Sequence, residues 1–150
     1  MIAENNLNRL SDAFEKMIVS MQEVDNFCVH LTKDISKQDL SLLSYVGGHG
    51  DVIMRDIVNF LDVPYSTATG IVDKLVQNKY LKRFNSEKDR RTVLVGLTTG
   101  KGQKTYDFFM TKKMEMSSRI MSILNDHEQE MLLNLMEKIA HNIKGSEQGE

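Results

Sequence analysis

The residues best able to do chemistry lie between Ser66 and Arg91. From Lys74 to Arg91, seven cations (Lys74, Lys79, Lys82, Arg83, Lys88, Arg90 and Arg91) oppose only Glu87 and Asp89, a local net of +5 in a chain whose overall net is −2. The remainder therefore carries −7. Such a cluster serves either as a solvated face or as a set of phosphate contacts, and its neighbours decide between the two. Just upstream, Ser66, Thr67 and Thr69 follow Pro64, so small hydroxyls and backbone N–H groups gather where a helix would open. That is a place where phosphates and base edges can approach closely. A fork-shaped guanidinium suits a narrow, electronegative minor groove, which makes Arg90 or Arg91 the candidate for insertion. Asp89 between the cations is expected to orient an arginine.

Other chemistries lack their residues. His30, His49, His127 and His141 have no spacing that resembles a metal pair, and no second cysteine joins them. A lone cysteine, Cys28, permits no internal disulfide. It sits in an apolar stripe beside Phe27 and Leu31, where packing rather than thiol reactivity is its expected use. There is no Gly-rich phosphate loop and no nucleophile with an adjacent base, so neither an enzyme nor a cofactor is expected. With 150 residues, 41% hydrophobic and 27% charged, the chain reads as one soluble domain. No apolar run nears the roughly 18–20 residues of a membrane span, and the opening MIAENNLNRL shows no leader, so a cytoplasmic protein without membrane contact is expected.

The elements that must position these residues follow from periodicity. One proline, no tryptophan and ten methionines favour helix. Leu7, Leu10, Phe14, Met17, Met21, Val24, Cys28 and Leu31 recur every three or four residues, predicting a helix of about seven turns with one apolar stripe. A stripe this long needs a partner helix, such as one from a second subunit. Leu40, Leu43 and Val46 predict a short helix over 36–46 that Gly47, Gly48 and Gly50 stop. Ile53, Ile57, Val58 and Leu61 predict another, closed before Pro64. Ala68, Ile71, Val72 and Leu75 mark the buried side of the next. The period then changes: Tyr80–Asn85 and Thr92–Leu97 read as an antiparallel hairpin with a charged tip. Tyr106, Phe109, Met110, Met114, Ile120, Met121 and Leu124 predict a long helix. Leu132, Leu135, Met136, Ile139 and Ile143 give the last helix its buried face, with Asn125 or Asp126 as its cap. Two short helices, a tight turn and a hairpin make a winged helix-turn-helix.

The stretch from about Asp56 to Gly102 resembles the MarR family of bacterial transcriptional regulators. The likeness is carried by Ser66-Thr67-Ala68-Thr69, Ile71-Val72-Asp73-Lys74-Leu75, Tyr80-Leu81-Lys82-Arg83, Asp89-Arg90-Arg91, and Leu97-Thr98 followed by Gly102. It implies a mainly α (α+β) winged helix-turn-helix over 36–98, with dimerisation helices in 1–33 and 103–144 and a disordered tail at 145–150. It further implies a homodimer on a pseudo-palindromic double-stranded DNA operator, with Leu7, Leu10, Phe14, Leu132, Leu135 and Ile139 in the dimer interface. The family's Asp-x-Arg pair falls on Asp89 and Arg91, which favours Arg91 for groove insertion and Arg90 for phosphate. Arg55, Tyr65, Ser66, Thr67, Thr69, Lys74, Arg83 and Lys88 complete the expected DNA-contacting set. A small aromatic or phenolic effector is implied as well, with Phe27, Leu31, Leu43 and Phe109 as candidate lining. Two departures stand out. Gly70 occupies the exposed face of the recognition helix where relatives often carry a cation, and Lys79 replaces the glycine that usually ends that helix, so Asn78 or Lys79 must take the left-handed position or the helix must end differently. Two further readings remain open: a redox-responsive regulator sensing through Cys28, and a winged-helix interaction module that binds no DNA.

Overall fold

A computed structural model describes residues 4–31 and 34–143, with side chains at 4–20 and 34–142. In chain order it contains α1 (Glu4–Leu31), α2 (Lys37–His49), β1 (Val52–Ile53), α3 (Met54–Leu61), α4 (Tyr65–Gln77), β2 (Leu81–Asn85), β3 (Val93–Leu97), α5 (Lys101–Ser122) and α6 (Asp126–Ile143). The three strands form an antiparallel sheet in the order β1-β3-β2. This is a winged helix-turn-helix, with α3 and α4 as the helix pair and β2–β3 as the wing. Two compact units divide after Met110.

In the first unit the core is built by α2, α3, α4 and the sheet. Leu42, Leu43, Val46, Ile57, Val72, Leu75, Leu81 and Val95 are at most 1% exposed, and each aliphatic side chain removed from water contributes roughly 1.5–3 kcal/mol. Ser36 and Asp39 start α2 with reciprocal bonds: the Ser36 hydroxyl accepts from Asp39 N at 3.2 Å, and the Asp39 carboxylate accepts from Ser36 N at 2.7 Å. Across the α2–α3 contact, Tyr45 stacks on Phe60 with ring centroids 4.2 Å apart. The second unit holds the rest of α5 and α6. Asn125 is the cap of α6: its side chain accepts from Glu128 N at 3.0 Å while its own N–H donates to the Glu128 carboxylate at 2.9 Å.

Three expectations need correction. α2 does not stop at Val46 but continues through Gly47 and Gly48 to His49, and the chain turns only at Gly50, whose φ is +81°. The use of Gly47 is close approach, because a β-carbon there would enter the Tyr106 ring. Ile53 is not helical. With Val52 it pairs to β3 as Val52↔Val95 and Ile53↔Leu94, a third strand too short to show a period in sequence. The predicted buried face of the last helix is open in the single chain, with Leu135 at 51%, Met136 at 50% and Ile139 at 44% exposure. Residues 145–150, expected as a tail, lie outside the described residues.

Candidate nucleic-acid interface

Burial assigns the two sides of α4. Ala68, Val72 and Leu75 are in the core, which turns Ser66, Gly70, Asp73 and Gln77, spaced i, i+4, i+7 and i+11, into one exposed ridge. Tyr65, 62% exposed, and Thr67 flank its start. Thr69 spends its hydroxyl on the Tyr65 carbonyl oxygen at 2.9 Å. Pro64 precedes the helix at φ −54°, ψ 148° and supplies no side-chain acceptor. The first-turn N–H groups thus keep their capacity to bind an anion. Arg55 is exposed on the preceding helix.

Two of the expected DNA-contacting cations are paired with acids in the chain. Lys74 Nζ lies 2.5 Å from Asp39 Oδ2, and Asp39 is 3% exposed. The pair fastens α4 to the start of α2. Arg83, on β2, donates to Asp73 of the ridge and ties the wing to the recognition helix.

At the C-terminal end of α4 the left-handed residue is Lys79, with φ +64°, while Asn78 stays at −83°. Lys79 N bonds to Val76 O and Tyr80 N to Leu75 O, at 3.0 and 2.9 Å. This reversal seats Tyr80 in the core, fully buried, with its hydroxyl donating to Asp34 at 2.9 Å. Lys101 Nζ contacts Asp34 at 2.8 Å and lies 4.0 Å from the Tyr80 ring centroid. The ammonium beside Asp34 holds that carboxyl below its ordinary range, and burial pushes the Tyr80 phenol up. Thr98 bonds Lys79 O and accepts from Gly102 N, both at 2.8 Å, and a β-carbon on Gly102 would collide with the Tyr80 carbonyl oxygen. Thr98 and Gly102 thereby lock the base of the wing to α5.

The wing is registered from Leu81↔Leu97 to Asn85↔Val93. At its tip Ser86 N bonds Thr92 O at 2.9 Å and Asn85 Nδ2 donates to Arg90 O at 2.7 Å. Asp89 accepts from Arg91 N at 3.0 Å and from the Thr92 hydroxyl at 2.9 Å. These two bonds, the Arg91 N–H first, hold its carboxyl below the usual carboxylate range. Asp89 therefore acts on the arginine's backbone rather than on its guanidinium. Lys88, Arg90 and Arg91 are exposed around it.

The structure brings Ser66, Thr67 and Tyr65 together at the head of α4 and the cations Lys88, Arg90 and Arg91 at the wing tip. Of the effector candidates, Leu43 is fully buried and Phe109 packs against the same core. The side chains of Phe27, Cys28 and Leu31 lie outside the described residues. Leu7, Leu10 and Phe14 are 51%, 55% and 42% exposed on α1, and Leu132 is half-buried. Sequence reasoning gave Asp39, Asp34 and Lys101 no such roles, although Ser36-x-x-Asp39 is a capping signature. Among the described residues there is no acid, histidine or cysteine group able to hold a metal, and no helix long and apolar enough to cross a membrane.

Residues 33–92 match the family profile described as MarR family. An uncharacterized HTH-type transcriptional regulator of Bacillus subtilis, YpoP, is 27% identical over 109 residues, 73% of this chain and 77% of its own length. Among solved structures, Streptococcus pneumoniae FabT in complex with DNA superposes with a TM-score of 0.78 at 21% identity, covering 93% of this chain and 98% of that one. Staphylococcus aureus MepR bound to ethidium bromide does so with a TM-score of 0.70 at 23% identity, over 89% and 95%.

Proposed function

Because residues 33–92 match the MarR family profile and a 27%-identical relative is an HTH-type transcriptional regulator, we propose that the chain is a MarR-family winged-helix regulator acting as a homodimeric repressor on a pseudo-palindromic operator. The observation that carries this reading is the wing tip, where Asp89 shapes the backbone so that Arg90 and Arg91 stand out beside Lys88. In the proposed complex the head of α4 enters the major groove and Arg91 enters the flanking minor groove. Arg90 and Lys88 contact phosphate.

Dimerisation is supported by the exposed apolar residues of α1 and α6, which a second copy would cover. With paired protomers the two recognition helices would stand roughly 34–36 Å apart, one helical turn of DNA. A small aromatic or phenolic effector that altered that span would release the operator, with leverage equal to its differential affinity for the two shapes. Support for that class of ligand comes from the ethidium-bound structural neighbour. A cytoplasmic location follows from the proposed task.

Gel-shift titration across salt, with wild type and Arg91→Ala, tests the reading. The substitution should weaken operator binding by roughly 1–3 kcal/mol, and wild-type affinity should fall steeply with salt. A wild-type protein that prefers no genomic fragment over random duplex would refute the proposal and favour a DNA-free interaction module. Loss of binding on mild peroxide treatment that Cys28→Ser abolishes would instead identify a thiol sensor.

A further inference from the structure

We propose that the half-operator beneath α4 is read as A·T pairs, with no guanine contact from that helix; the inference rests on the DNA-binding reading above and names the sequence class it selects. In the major groove guanine shows two acceptors, O6 and N7, which are recognised by forked or ammonium donors, whereas adenine offers N6–H₂ beside N7 and thymine a methyl group. α4 contains a single cation, Lys74. It is turned towards α2, where its ammonium meets Asp39 at 2.5 Å. The nearby guanidinium of Arg83 is bound to Asp73.

What remains along the ridge is a hydroxyl at Ser66, no side chain at Gly70, a carboxylate at Asp73 and an amide at Gln77. Nothing lies within 4 Å of the β position of Gly70, so no neighbouring side chain supplies a donor at the ridge's centre. Asp73 is 55% exposed and engaged by Arg83; its carboxylate would repel guanine's acceptors, and a lone pair left free by Arg83 could accept from the amino group of adenine or of cytosine. Gln77 suits the donor–acceptor edge of adenine, and the hydroxyl residues at the head of the helix are compatible with thymine. At the wing, guanidinium insertion favours the narrow minor groove of A-tracts. Both halves of the interface therefore favour the same base composition for independent reasons.

The test is selection from a randomised duplex library with the full-length protein, followed by single-pair replacement in the best duplex. Inosine·cytosine in place of A·T gives the major groove a guanine-like edge and leaves the minor groove free of the guanine amino group. We expect A·T half-sites in which such a swap costs about tenfold at the positions under α4. Gly70→Arg, which adds a forked donor in open space, should turn the loss into a gain at one position per half-site. A selected G·C pair that inosine·cytosine replaces without loss, while A·T costs tenfold or more, would overturn the inference. So would swaps without effect at every position, since α4 would then read no base edge. Failure to enrich any sequence over random duplex would instead remove the DNA-binding reading on which the inference stands.

Discussion

Replacing Lys74 with methionine keeps the aliphatic stem and deletes the ammonium, which separates a fold-holding role from a DNA-contacting one. Asp39, 3% exposed, would keep the bond from Ser36 N but lose the ammonium that pairs with it. A hydrogen bond to a charged group contributes about 1.5–3 kcal/mol when lost. Lys74 is 47% exposed, so water can reach the carboxylate's edge, and discounting for that leaves about 1–2 kcal/mol. At this chain length each kcal/mol moves Tm by about 2–4 °C, so a fall of roughly 2–8 °C is expected in calorimetry at fixed protein concentration. Asp39→Asn in the Lys74→Met background should recover part of the loss, because a neutral amide needs no counter-charge. The slope of log affinity against log salt should stay unchanged. A phosphate contact by Lys74 would instead make that slope shallower by about 0.9 per protomer. An unaltered Tm together with a shallower slope would refute the assignment of Lys74 to the fold.

Asp34 titrates below the ordinary carboxylate range because Lys101 favours its charged form. Its depressed folded value means that its contribution is complete above the unfolded value of about 3.9 and is lost as pH falls through the lower folded one. Lys101→Met should move the Asp34 midpoint upward in carboxyl NMR titration; an unmoved midpoint would contradict the contact. Gly70→Ala should stabilise the protein by up to about 1 kcal/mol, since the site is open and glycine is a poor helix former. Gly102→Ala should destabilise it by about 1–3 kcal/mol through the collision with Tyr80 O. Equal effects of the two changes in urea unfolding would show that the packing at Gly102 is misread. Phe14→Glu, on the exposed stripe of α1, should shift the protein towards monomer in sedimentation velocity and reduce operator affinity; an unchanged sedimentation profile would remove that stripe from the interface.

Periodicity made the helices and the wing legible, because one buried side repeated over several turns leaves a mark in sequence. Local chemistry placed the wing tip as well, since Asp89, Arg90 and Arg91 are adjacent. What stayed hidden depends on partners brought in from elsewhere in the chain. Gly47 and Gly48 read as a stop, but the Tyr106 ring makes Gly47 a packing position inside α2. Lys74 and Arg83 are legible only as cations in the expected DNA-contacting set; that each meets an acid, the first 35 positions away, is not. Leu43 carried no sign that would separate a pocket wall from a filled interior. Lys79 could be named as one candidate for a left-handed turn, but only the path of the chain into Tyr80 distinguishes it from Asn78.

The central strand of the sheet has a mechanical consequence. β3 is bonded on one side to β2 and on the other to the two residues that lead directly into α3, while Arg83 braces β2 against α4. Hairpin and helix pair are thus cross-tied like the legs of a stool. A load on the hairpin is therefore carried into the helix pair rather than absorbed by the hairpin alone, and the same stool is bolted to the start of α5 through Asp34, Tyr80 and Lys101.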